Sequence, residues 1–111
     1  MSTKIFVYGT LQSGHGANKL MGNGVFVRKG QIKGTMYDMG GFPAVTDGDS
    51  NITGEIWEVD EEAIKRMDQY EGHPNFYRRT DTVTVDGEKV EFYKNMSGHK
   101  GRPIITSGEW K

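Results

Sequence analysis

The run Ile5-Phe6-Val7-Tyr8 constrains this chain more than any other feature. Its four residues are β-branched or aromatic and show no polar alternation. Such a run reads as a strand buried on both faces, and so central in its sheet. It stops at Gly9, and the residues from there to Gly14 are mostly small or polar. Glycine permits close backbone approach, and successive N–H groups in such a turn can form a concavity for an anion. The same residues also suit a core strand that leaves by an ordinary turn. On this stretch alone, both readings stand.

At 111 residues the chain is read as one domain, 1–111, with a single core. Hydrophobic residues make up 34% and glycine occurs 16 times, a mixture that favours short strands, many turns and a modest core. The segment 15–21 offers one or two weak helical turns before Gly22 and Gly24. Residues 25–37 read as a long bent strand or as two short ones, with Gly30 and Gly34 marking bulges or close contacts. A loop at 38–43 is followed by a short strand at 44–46, a turn at 47–51 and a strand at 52–59. Further on, 76–85 and 90–94 are strands joined by Asp86-Gly87, the strongest hairpin signal in the chain. The tail 103–110 ends in Trp110, which is expected to dock on the body.

Only one segment carries a clear helical period. Asp60 is a suitable N-cap, Glu61 and Glu62 follow at the positive end, and Gly72 with Pro74 stops the helix after about Tyr70. Ile64, Met67 and Glu71 are spaced i, i+3, i+7, which places Glu71 on the apolar stripe. Glu61, Glu62 and Asp68 fall on the solvated side. A carboxylate on the packed side loses hydration, and the negative end of the helix dipole adds to the effect, so its pKa rises toward neutrality. A carboxylic acid tuned in this way can take and return a proton. The structural alternative is an end-of-helix glutamate paired with Arg78 or Arg79.

The remaining signals exclude more than they suggest. Net charge is −1 with both signs interspersed, and no basic stripe of a nucleic-acid binder is present. Cysteine is absent, which removes disulfides, thiolate metal sites and cysteine nucleophiles. His15, His73 and His99 lack ligand spacing and read as solvated loop residues. No apolar run reaches membrane-spanning length and no leader pattern opens the chain, so a cytoplasmic protein is expected. The methionines at 36, 39 and 67 read as core filler, and Trp57 and Trp110 as packing residues.

Four strings occur in order: Val7-Tyr8-Gly9-Thr10-Leu11, Gly54-Glu55-Ile56-Trp57-Glu58-Val59-Asp60, Asp68-Gln69-Tyr70-Glu71-Gly72, then Tyr77 and Arg79. Together with 38–45 and the terminal Ile105-Thr106-Ser107-Gly108-Glu109-Trp110, they resemble the gamma-glutamylcyclotransferase-like family, closest to its small gamma-glutamylamine branch. The resemblance implies an α+β fold, a small, mostly antiparallel, barrel-like curved sheet with one main helix. It implies an enzyme that releases 5-oxoproline from a small γ-glutamyl amine or peptide, with no metal or organic cofactor. Carried over by motif, Glu71 is the general acid/base and Tyr8, Gly9, Thr10 and Leu11 cradle the substrate. Tyr77 and Arg79 match the pattern after the glutamate, and Tyr93 matches more loosely. A reading of a different class is a binding module of the same fold that recognises a metabolite or partner protein without turnover.

Overall fold

The computed structural model describes residues 2–110. In chain order it has β1 (Ser2–Val7), a 3-10 helix (Gly16–Met21), β2 (Val25–Asp38), β3 (Pro43–Asp60), α1 (Glu61–Glu71), β4 (Tyr77–Val83) and β5 (Lys89–Asn95). The five strands form one mixed sheet in the order β2-β3-β1-β5-β4, with β1 in the middle. Its ladders are antiparallel except for β1 against β5, which run parallel at Ile5↔Glu91 and Phe6↔Phe92. This is the expected α+β arrangement of one mostly antiparallel sheet with one main helix, and the sheet is not closed into a barrel. Among the described residues, edge strands β2 and β4 approach each other through the isolated bridge Ile32↔Thr84 and the bond from Val85 N–H to the Gln31 carbonyl.

Burial on both faces of β1 is real, and it divides the interior in two. Ile5 and Val7 point to the helix side, where they meet Ala63, Ile64 and Met67 of α1 with Val59, Tyr77 and Tyr93. Phe6 and Tyr8 point to the other side, with Ile32, Met36, Val45, Ile52, Ile56, Val90 and Phe92. Each fully buried aliphatic or aromatic side chain contributes roughly 1.5–3 kcal/mol, so a strand that feeds both clusters is the natural centre. Met36 and Met67 are buried as expected, and Ile105 and Trp110 of the tail pack on the second cluster. Tail and sheet are also joined by backbone bonds from Ile105 N–H to Met36, Asp38 N–H to Pro103 and Thr53 N–H to Gly108.

Residues 25–38 form one long strand, the first of the two expected forms, with register shifts at Phe26/Arg28 and Gly34/Thr35. One segment differs from the sequence reading. The turn expected at 47–51 is instead part of β3: Thr46 pairs with Thr35 and Ser50 with the preceding Gly34, so the residues between bulge out of a continuous strand. Pairing with β2 on both sides overrides the local turn signal. The hairpin at Asp86-Gly87 is present, closed by Gly87 N–H to the Thr84 carbonyl and Thr84 N–H to Glu88. No helix among the described residues is long and apolar enough to cross a membrane.

The helix follows its sequence signals closely. Asp60 Oδ1 accepts the Ala63 N–H at 2.9 Å, a cap of the kind that contributes about 1 kcal/mol. Gly72 ends the helix with φ of 69°, a left-handed conformation that glycine adopts without strain. His73 N–H then reaches back to the Asp68 carbonyl. These two ends fix where Glu71, the last helical residue, is presented.

Candidate active site

Where β1 ends, the chain turns over a cavity of about 340 Å3. Its walls are Val7 to Leu11 from the end of β1 and the following turn, Gly41 and Phe42 from the loop before β3 with Pro43 at its start, Tyr70 and Glu71 from α1, and Phe6, Phe76, Tyr77 and Tyr93. Sequence reasoning named Tyr8, Gly9, Thr10, Leu11, Glu71, Tyr77 and Tyr93, and the fold brings all seven to this cavity. Arg79 is not among its walls. Its guanidinium takes Asp68 in two bonds, at 3.0 and 3.1 Å, and Glu91 in a third at 2.6 Å.

The destination of Arg79 decides the state of Glu71. With that cation committed to Asp68 and Glu91, and Arg78 exposed, neither arginine pairs with Glu71. Among the described residues the Glu71 carboxyl makes no hydrogen bond and no ion pair. Burial against the cavity wall, without a compensating charge, pushes its pKa up to about 7. Desolvation therefore prevails over the arginines, as the strand alternation of Arg78 and Arg79 suggests.

The turn opposite is held from behind. Gln12 N–H bonds the Gly9 carbonyl at 3.0 Å, its side chain bonds the Tyr8 carbonyl at 2.9 Å, and Asn18 Nδ2 bonds the Leu11 carbonyl at 2.8 Å. The N–H groups of Gly9, Thr10 and Leu11 donate to no described group. Carbonyls satisfied and amides bare is the arrangement of a site for an anion. At Gly9 a Cβ would come within 2.8 Å of the Pro43 ring, so only glycine lets β1 and β3 approach here.

Three tyrosines line the interior with their hydroxyls already engaged. Tyr8 donates to the Tyr93 carbonyl at 2.7 Å, Tyr77 to the Pro43 carbonyl at 2.7 Å, and Tyr93 to Asp68 Oδ1 at 2.7 Å. Burial raises the pKa of all three phenols, and the nearby Glu71 charge adds to it. They remain protonated and give the cavity fixed walls.

Two carboxylates that support the site were not singled out for that role from sequence. Glu55 on β3 is buried and accepts Ser13 N–H at 2.8 Å, Ser13 Oγ at 2.6 Å and Trp57 Nε1 at 3.0 Å. Burial alone would raise its pKa, but the bonds from Ser13 and Trp57 outweigh that and hold it below the ordinary range. It ties down the far end of the turn that begins at Gly9. Asp68, expected on the solvated face, instead sits half-buried beneath Tyr93 and Arg79. Here too burial works upward, and the bonds from Arg79 and Tyr93 bring the pKa down. His73 departs from its solvated reading as well, since its Nδ1 accepts the Arg79 N–H at 3.0 Å. Among the described residues no group of three or more His, Cys, Asp or Glu side chains is placed to hold a metal ion.

An unpaired carboxyl with its pKa raised toward neutrality and a turn with unbonded amides line one small cavity, a combination suited to acid/base chemistry on a small molecule. Comparison with known proteins gives this class its family. Residues 5–111 match the model of "Gamma-glutamyl cyclotransferase, AIG2-like". A Methanocaldococcus jannaschii protein that carries the name gamma-glutamylcyclotransferase provisionally is 33% identical, over 96% of this chain and 94% of its own. The gamma-glutamylaminecyclotransferase of Rattus norvegicus is 36% identical over 68% of this chain and 59% of its own. In fold, an AIG2-like protein from Mus musculus superposes with a TM-score of 0.85 at 23% identity, over 99% of this chain and 88% of that one. The chain belongs to the gamma-glutamyl cyclotransferase, AIG2-like family, and is an enzyme of the gamma-glutamylcyclotransferase type.

Proposed function

We propose that the protein converts a γ-glutamyl amine or γ-glutamyl peptide into 5-oxoproline and the free amine or peptide, with Glu71 as general acid/base. The observation that carries this reading is the Glu71 carboxyl, unpaired and pushed up to about 7, on a cavity that also holds the bare amides of Gly9 to Leu11. A group that titrates near 7 is available as both base and acid at neutral pH.

In this reaction the turn amides hold the substrate's α-carboxylate or the oxyanion that develops on the scissile carbonyl. With the substrate's α-amino group in its neutral form, ionised Glu71 takes a proton from it as its nitrogen attacks the side-chain carbonyl carbon. A nitrogen–carbon bond closes the five-membered ring, and the bond from that carbon to the leaving nitrogen breaks. Glu71 returns its proton to the leaving nitrogen, so atoms and charge balance within the substrate and one side chain. Because the attack is intramolecular, holding the glutamyl chain folded supplies much of the acceleration. Tyr8, Tyr77 and Tyr93 shape the cavity. Arg79 acts one step away, by holding Asp68 under Tyr93.

Incubation with a panel of γ-glutamyl amines and dipeptides tests the reading, with 5-oxoproline as the product followed. Release from at least one substrate class is expected. Binding without release would favour the non-catalytic module.

A further inference from the structure

We propose that the mouth of the cavity, formed by Phe42, Tyr70 and Phe76, is a subsite for an aromatic ring on the leaving amine. This inference rests on the γ-glutamyl reading above and extends it to the other half of the substrate. The interior tyrosines are buried, whereas Phe42 and Tyr70 are 37% and 52% exposed although both line the same cavity. Phe42 and Phe76 stand edge to face, with ring centres 6.2 Å apart and planes at 69°, and Phe76 repeats that geometry against Tyr77 at 4.9 Å. Tyr70 is held in place by its hydroxyl, 3.0 Å from Thr10 Oγ1. A leaving group that projects outward from Glu71 and the turn meets these three rings.

Charge narrows the class further. Among the described residues no lysine, arginine or histidine lines the cavity, and the hydroxyls of Tyr8, Tyr77 and Tyr93 are already spent on protein acceptors. The bare amides of the turn are taken up by the glutamyl half of the substrate, through its α-carboxylate or its developing oxyanion. A second carboxylate beside the leaving nitrogen would meet Glu71 and aromatic faces, with no cation among the described lining residues to receive it. A cavity of about 340 Å3 lies at the small end of ligand sites, which suits a glutamyl group with one ring better than a longer peptide. Aromatic side chains in turn favour edge-to-face and offset contacts with such a ring.

Three compounds separate the possibilities: γ-glutamyl-phenethylamide, γ-glutamyl-methylamide, and γ-glutamyl-phenylalanine, which differs from the first by one carboxylate. On the wild-type protein, kcat/KM for phenethylamide should exceed that for each of the others by ~10-fold or more, the scale on which apolar pockets discriminate. Phe42→Ala should lower the phenethyl-to-methyl ratio. Equal kcat/KM for phenethylamide and methylamide, or for phenethylamide and phenylalanine, would overturn the subsite. If no compound yields 5-oxoproline, calorimetric binding to Glu71→Gln still reads it. Tighter binding of phenethylamide would then keep the subsite while the cyclotransferase reading fails, and equal binding would remove the subsite.

Discussion

Glu71 is half-buried against the cavity wall, and its carboxyl has no partner among the described residues. Folding strips water from its carboxylate and offers nothing in return, so the folded state holds the Glu71 proton more tightly than the unfolded chain does. Stability from this group is fully present below the unfolded pKa of about 4.5 and is lost as pH rises through the folded value of about 7. Fully developed, the penalty is at most about 3 kcal/mol. Glu71→Gln keeps the shape and removes the charge. At about pH 8 it should melt at or above the wild-type temperature, and near pH 4.5 the two should converge. Thermal unfolding at those two pH values reads the difference, and a variant that melts lower at pH 8 would mark an ion-paired structural glutamate. The position of Glu71 was legible because Ile64 and Met67 share its helical stripe. The role of Asp68 was not, because helix periodicity assigns a face but cannot see Tyr93 and Arg79 arriving from β5 and β4.

At the level of elements, α1 was legible from cap to cap, since each signal lies within the helix itself: Asp60, the apolar period and Gly72. β3 was not legible in its middle. Asp47 to Asn51 carry turn residues, yet they bulge within one strand because the chain on either side pairs with β2. β3 also supplies Glu55, and through it the element reaches across to the turn after β1. Glu55→Ala leaves Ser13 N–H, Ser13 Oγ and Trp57 Nε1 without their acceptor, which should cost about 1–3 kcal/mol of stability. It should raise KM more than it lowers kcat, because it loosens the cradle and leaves Glu71 alone. Glu55→Gln, whose amide oxygen can still accept from both N–H groups, should lose less on each count. Steady-state kinetics and melting curves of the pair check this, and an unchanged KM in both would separate Glu55 from the cradle.

For the molecule as a whole, the central placement of β1 explains why the cavity lies where it does. A strand buried on both faces divides the core, and where it stops both halves end at one opening. Its central position could be read from Ile5 to Tyr8 alone. The order of the other strands could not, because two exposed edges and one parallel pairing depend on contacts far apart in sequence. The motifs from Tyr8 to Leu11 and around Glu71 lie sixty residues apart in the chain and meet across this opening. That convergence is the centre of the account. It is tested most directly by 5-oxoproline release from a γ-glutamyl amine, measured side by side for the wild type and Glu71→Gln. Loss of turnover by ~10²-fold or more in the variant, with the fold retained, is the predicted result. Turnover at the wild-type rate in Glu71→Gln would contradict it.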